Sequence, residues 1–338
     1  MSDKLKNIIP FAFNGNLTRE NMSEALEIIM SGEAPEGQIA AFLIALQKSG
    51  VNSEHMLGAM DVMNKKMVAV NIPKGSIDTC GTGGDAKFSL NISTAISFVL
   101  AANNVTVAKH GNKALTSKCG SADVLSALGI NIDMPTRLIE ECLKKIGICF
   151  MFAPNHHPAM KYVGPVRQQI GVRTIFNMLG PLLNPGNVDN QIVGVFSKDV
   201  LNIYKEVFDK RDGKNAFIIH GYDGMDEVST EGENLIYSKE YGKLIFDPQE
   251  INLSRPIDSE LVGNEPNYNA DRIIDIFTGK KDSFYEIVCI NAAFGFLLAS
   301  NKEPNMNNIK EYYELSRNII DSGAAEKKLK DLISFTNQ

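Results

Sequence analysis

The chain has 338 residues, 44% of them hydrophobic and 22% charged, with a formal net charge of −6. These are globular proportions, with enough chain for one large domain or two unequal ones. The whole-protein field does not favour binding a polyanion, although a local basic pocket can still hold a small phosphate ligand.

No run approaches the ~18 apolar residues of a membrane span, and the N-terminal segment leads into no signal-like apolar core, so the expectation is a cytoplasmic protein without a membrane partner. The five cysteines, Cys80, Cys119, Cys142, Cys149 and Cys289, include no CxxC pair. They read as reduced, small buried residues rather than a disulfide or zinc framework.

In chain order, the first seventy residues carry helical spacing. Behind the cap Thr18, residues Met22, Ala25, Leu26 and Ile29 share one face, and Gly32 closes the segment. Pro35 opens a second helix with Ile39, Phe42, Leu43 and Leu46 inward, ending before Gly50. A third starts near Asn52 or Ser53 and carries Met56, Leu57, Met60 and Met63. From about Asn71 the pattern alternates: short apolar runs at 106–108, 192–196 and 216–220 are separated by helical stretches at 92–102, 122–128 and 204–208.

The expected fold class is therefore α/β, with a small N-terminal helical subdomain (1–70) and a larger α/β domain (71–338) around a mostly parallel central sheet. Segment 155–185, rich in Pro, Gly and charge yet partly apolar, reads as an ordered excursion and a candidate to pack with the helical subdomain. Residues 250–275 read as a polar loop region before a helix over 283–299.

Four segments carry chemistry. After a short strand at Ile77–Thr79 comes Gly81-Thr82-Gly83-Gly84-Asp85, followed by Asn91-Ile92-Ser93-Thr94 at a helix start. Glycine lets backbone N–H groups approach an anion, and a helix N-terminus attracts one. Neither the spacing of a P-loop nor that of a dinucleotide fingerprint is present. The second segment, Lys109 to Asp123, places three lysines, two glycines and several hydroxyl or amide side chains at the next strand-to-helix junction, which suits a phosphate cradle. Third, the adjacent carboxylates of Asp226 and Glu227 in Asp223-Gly224-Met225-Asp226-Glu227 suit Mg²⁺, or alternatively an acidic surface turn. Fourth, His156 and His157 precede Arg167 in a segment read as packing or substrate contact, and the Arg167 guanidinium offers a fork for a carboxylate or for an ordinary ion pair.

As an ordered series over nearly the whole chain, GTGGD, the NIST run at 91–94, KHGN with CGSAD, HPAMKYVGPVR, the segment from Arg173 to Pro185, and DGMDE resemble the anthranilate phosphoribosyltransferase family. The resemblance implies transfer of the phosphoribosyl group of 5-phosphoribosyl 1-diphosphate (PRPP) to the amino group of anthranilate, in tryptophan biosynthesis, by a homodimer with Mg²⁺ as cofactor. It implies PRPP contacts from Gly81, Gly84, Asp85, Ser89, Asn91, Ile92, Ser93, Thr94, Lys109, His110, Gly111, Asn112, Lys113, Ala114, Leu115, Thr116, Ser117 and Ser121. Anthranilate contacts fall on Gly81, Asn112 and Arg167, and Mg²⁺ contacts on Ser93, Asp226 and Glu227. No residue is expected to act as a covalent nucleophile, because Mg²⁺, Lys109 and loop amides stabilise the departing diphosphate. Cys119 and Lys113 stand where the family commonly has serine and arginine, and Tyr162 and Gln168 where it often has histidine and arginine. The alternatives weighed are a pyrimidine nucleoside phosphorylase and a non-catalytic nucleic-acid-binding relative; nucleic acid is not expected as a partner.

Overall fold

The computed structural model describes residues 4–83, 89–114 and 118–338. The chain forms two compact units, one from residues 1–69 and 153–185, the other from 70–152 and 186–338.

The first unit is helical. It contains α1 (Lys4–Phe13), α2 (Arg19–Met30), α3 (Glu36–Ser49) and α4 (Ser53–Lys66). The sequence signals sit where capping requires: the Thr18 hydroxyl accepts from the Asn21 N–H, and the Asn52 side chain accepts from the His55 N–H. Pro35 is the N-cap of α3 rather than its first helical residue. Helix α1, with Pro10 inside it, precedes the three helices whose buried faces the spacing spells out.

The second unit holds α5 (Ile92–Ala102), α6 (Ser121–Ala127) and α7 (Thr136–Ile146) before the chain returns to the helical unit as α8 (Ala153–His156), α9 (Gly164–Ile170) and α10 (Phe176–Leu179). It then continues with α11 (Lys198–Asp209), α12 (Asp258–Leu261), α13 (Pro266–Phe277), α14 (Ser283–Ala299), α15 (Met306–Asp321) and α16 (Ala324–Thr336). The reading of 250–275 as a polar loop is corrected by α13: Ala270, Ile273, Ile276 and Phe277 recur at helical spacing and are buried. Among the described residues no helix is long and apolar enough to cross a membrane.

The sheet comprises β1 (Ile77–Thr79), β2 (Val107–Gly111), β3 (Ile148–Phe152), β4 (Asn190–Gly194), β5 (Asn215–His220), β6 (Asn234–Ser238) and β7 (Gly242–Phe246). Its order is β3-β2-β1-β4-β5-β6-β7. The first five strands run parallel, and the unanticipated β6 and β7 add an antiparallel edge. From β1 the chain winds outward through β2 to β3, then returns to β1's other side with β4. That reversal makes the carboxyl end of β1 the topological switch point, where open parallel sheets bind their ligands. Helix α14 is buried on nearly every side; its Phe294 ring meets Phe217 of β5 and Phe246 of β7 edge-on at centroid distances of 5.9 and 5.5 Å.

Candidate active site at the switch point

Beyond β1 the backbone keeps pairing with β4, because Thr82 N–H donates to Gly194 O at 2.8 Å. The turn is then captured from across the sheet: Gly83 N–H donates to Asp226 Oδ2 at 2.8 Å. This approach requires glycine both in the turn and at the end of β4. A Cβ on Gly81 would stand 2.6 Å from Asp226 Oδ2, and one on Gly194 would coincide with the Asp226 carbonyl. The Asp226–Glu227 pair is fixed from behind by Asn291 of α14, whose Oδ1 accepts from Val228 N–H at 2.8 Å and whose Nδ2 donates to Val228 O at 2.9 Å.

Lys109 is anchored from the protein side. Its side chain is buried between β1 and α5, and Nζ donates to Thr79 O at 2.6 Å, Thr79 Oγ1 at 3.3 Å and Ser93 Oγ at 3.4 Å. An ammonium has three N–H donors, so all of them have protein acceptors. Burial lowers its pKa, opposed by the negative charges of Asp78 and Glu227. The group therefore supplies charge from beneath the helix start and aligns Ser93 rather than reaching outward.

In the first turn of α5, Ser93 and Asn91 are partly exposed, whereas Ile92 and Thr94 are buried. The backbone N–H groups of the buried pair go to Leu90 O and Asn91 O, so both shape the turn from inside. Ser89 is partly exposed and bridges to Val262.

In the second loop, His110 is buried with its N–H on Asp78 Oδ1, and Gly111 packs against Ser121 and Phe150. Asn112 and Lys113 are exposed; Lys113 Nζ lies 5.9 Å from the Phe152 ring centroid. Asp123, to which the sequence assigned no role of its own, ties the loop together: its Oδ2 accepts from Ala114 N–H at 2.8 Å and Gly120 N–H at 2.9 Å. Ser121 Oγ faces Asn112 O at 3.4 Å. Gly84, Asp85, Leu115, Thr116 and Ser117 lie outside the described residues.

The oxygen set offered by Ser93, Asp226 and Glu227 fits Mg²⁺ on chemical grounds. Among the described residues no three His, Cys, Asp or Glu side chains form a metal-holding group. One or two carboxylates completed by water and substrate phosphate is the arrangement Mg²⁺ favours over an all-protein cage.

The helical unit carries the remaining predicted residues. Arg167 on α9 is half-buried with its guanidinium 5.3 Å from the Phe176 ring centroid, and among the described residues no carboxylate pairs with it. Burial lowers its pKa. His156 Nδ1 bonds Val68 O and His157 Nε2 bonds Leu183 O, so each ring is committed to a backbone carbonyl as a neutral donor. Burial pushes His157 down to about 4.

Comparison with known proteins completes this picture. The chain matches the glycosyl transferase family's helical bundle domain over residues 10–67 and its a/b domain over 74–326. It is 40% identical to an anthranilate phosphoribosyltransferase of Petrotoga mobilis, covering 95% of this chain and 94% of that one. It is 41% identical to one of Mesorhizobium japonicum across the full length of both. The crystal structure of anthranilate phosphoribosyltransferase from Thermus thermophilus superposes with a TM-score of 0.90 at 34% identity, covering 98% of this chain and 99% of that one. The Saccharomyces cerevisiae enzyme in complex with PRPP and Mg superposes at 0.92 with 25% identity, covering 100% and 99%. Identity of this extent, sustained from end to end in both sequence and fold, establishes that the chain belongs to the anthranilate phosphoribosyltransferase family.

Proposed function

We propose that this chain joins C1 of PRPP to the amino nitrogen of anthranilate, releasing pyrophosphate and giving N-(5-phosphoribosyl)anthranilate, with Mg²⁺ as cofactor. The observation that carries the reading is the meeting, at the switch point of the sheet, of the Gly81–Gly83 turn with the Asp226 carboxylate, beside the buried cation that aligns Ser93.

The turn and the partly exposed Ser89, Asn91 and Ser93 hold PRPP, together with Asn112, Lys113, Ala114 and Ser121 of the second loop; Gly84, Asp85 and Leu115 to Ser117 are assigned to the same ligand from the family pattern. Ser93, Asp226 and Glu227 would hold Mg²⁺, which when bound neutralises charge on the diphosphate as the C1–O bond breaks. Lys109 adds fixed positive charge in a low-dielectric position, where it acts with little screening. His110 and Gly111 support the loop by packing. Ile92 and Thr94 set the helix turn.

Anthranilate is assigned to Gly81, Asn112 and Arg167, the last because its guanidinium has no carboxylate partner among the described residues and the substrate carries one. An arylamine attacks without a strong base, so orienting it over C1 is the main task, and no covalent intermediate forms on the protein. Loss of anthranilate fluorescence with PRPP and Mg²⁺, matched by release of one pyrophosphate, tests the assignment. Phosphorolysis of thymidine or uridine with no use of PRPP would overturn it. A homodimer in the cytoplasm belongs to the same proposal, and a light-scattering mass near 37.1 kDa, that of one chain, would remove the dimer from it.

A further inference from the structure

We propose that Asn269, on α13 and distant in sequence from every motif, is a positioning residue that sets the hydrogen-bonding polarity of Asn91 and so makes Asn91 a donor toward the anionic substrate. The inference rests on the reading of Asn91 as a PRPP contact and explains how that contact is oriented.

A side-chain amide can face a neighbour with either its oxygen or its nitrogen, and only the hydrogen-bond network decides. Here the decision starts at a group that has no choice. The backbone N–H of Asn264 donates to Asn269 Oδ1 at 2.8 Å, and a backbone N–H cannot accept. Asn269 is 1% exposed, so its amide is locked with Oδ1 toward Asn264 and Nδ2 toward Asn91. That Nδ2 donates to Asn91 Oδ1 at 2.9 Å.

The other end of Asn91 agrees. Its Nδ2 lies 3.4 Å from the Cys119 carbonyl, which can only accept. Cys119 Sγ lies 3.4 Å from Asn91 Oδ1, closer than its alternative acceptor Gly120 O at 3.6 Å. Burial pushes the Cys119 thiol up to about 12, so it keeps the proton it donates. Both lone pairs of Asn91 Oδ1 are thereby engaged by protein donors. What Asn91 retains, among the described residues, is an Nδ2 hydrogen with no acceptor. It also stands at the N-cap of α5 without a side-chain capping bond, so local helix chemistry does not set its orientation.

A donor suits phosphate and ribose oxygens, whereas an amide turned the other way would present a carbonyl oxygen to an anion. Asn269→Leu removes the lock with an apolar side chain of similar size. Asn269→Asp reverses it: one carboxylate oxygen still accepts from Asn264, and the other draws Asn91 Nδ2 inward.

The test is the dissociation constant of PRPP with Mg²⁺ by calorimetry, with thermal melting as a folding control, in the wild type, both Asn269 variants, Asn91→Ala, and the double variants. We expect about tenfold weaker binding for Asn269→Leu, in line with loss of one hydrogen bond to a charged ligand, and a larger loss for Asn269→Asp. In the Asn91→Ala background neither Asn269 change should weaken PRPP further, because the effect passes through Asn91. Additive losses, as expected from added charge or general damage, overturn the proposal, as does unchanged affinity in both single variants. If the Asn269 variants fail to fold, Cys119→Val supplies the second route, with about threefold weaker binding expected from loss of one neutral donor; wild-type affinity there overturns it. Failure of the wild type to bind PRPP refutes the functional reading instead.

Discussion

Asp123 offers a sharp test of the site because two effects oppose each other there. Its Oδ2 accepts the N–H groups of Ala114 and Gly120 and closes the loop that follows β2. A hydrogen bond to a charged group is worth roughly 1.5–3 kcal/mol, and partial exposure of the carboxylate lets water replace part of that, so about 2 kcal/mol of loop ordering depends on the pair. The same carboxylate is a negative charge beside a site assigned to a diphosphate, and its repulsion acts in the other direction. The two substitutions separate these effects. Asp123→Ala removes the shared acceptor, and about 2 kcal/mol corresponds to roughly 30-fold weaker PRPP binding if the loop must be ordered to bind. Asp123→Asn can leave a carbonyl oxygen in the position of Oδ2, accepting both N–H groups without the charge. Its affinity should stay within about threefold of wild type in either direction, since a neutral hydrogen bond retains much of the ordering. Calorimetric PRPP titration, with melting temperature as a control, reads the difference. Equal losses in the two variants, or an Ala variant with wild-type affinity, would refute the reasoning that backbone ordering outweighs charge.

Two further outcomes are expected. Arg167→Ala should raise the KM for anthranilate by about tenfold or more while leaving the KM for PRPP near its original value, as loss of a charge-assisted pair predicts; steady-state kinetics that show the reverse pattern would remove Arg167 as the carboxylate anchor. His157 bears on stability. Burial pushes it down to about 4, so between that value and the unfolded ~6.5 the unfolded chain takes a proton that the folded chain refuses. Its contribution is fully present above ~6.5 and is lost as pH falls toward 4, by up to about 3 kcal/mol. Urea midpoints across that window should fall, and His157→Gln should flatten the fall; an unchanged slope counts against the assignment.

What the sequence made legible were features written locally. The Thr18 cap, the helix start near Asn52 or Ser53, the helix at Ile92–Ala102 and the helix at Ser283–Ala299 lie where the sequence placed them. The glycine turn and the Lys109–Asp123 loop were legible as strand-to-helix junctions because alternation of apolar runs signals a parallel sheet. Helix α13 escaped because its polar residues dominate the composition while its buried face is carried by only a few apolar positions. The supports of the site were illegible for a different reason. Asn269 reaches Asn91 across 178 positions and Asn291 reaches Val228 across 63, distances at which no local pattern links the partners. Gly194 shows its purpose only once Asp226 lies against it.

Lys109 shows how burial recasts a role that residue type alone suggests. A lysine in a glycine- and serine-rich loop suggests a hand extended to phosphate, yet strand β2 carries it inside a sheet covered on both faces. Burial removes its hydration, and the protein replaces that hydration with acceptors from Thr79 and Ser93. The Thr79 hydroxyl in turn lies 2.9 Å from both Ser93 O and Ser97 Oγ, so the cation, the end of β1 and the first turn of α5 share one network. A mobile surface lysine would have to surrender its solvation and rotamer freedom each time a diphosphate arrived. A buried one has met those costs during folding and presents its field already oriented. The same logic governs Asn91, whose donor face is fixed through Asn269 before any ligand is present. On both counts the polarity of the site is set from the core side, by Asn269 from outside the motifs that mark the family and by Lys109 from within one of them.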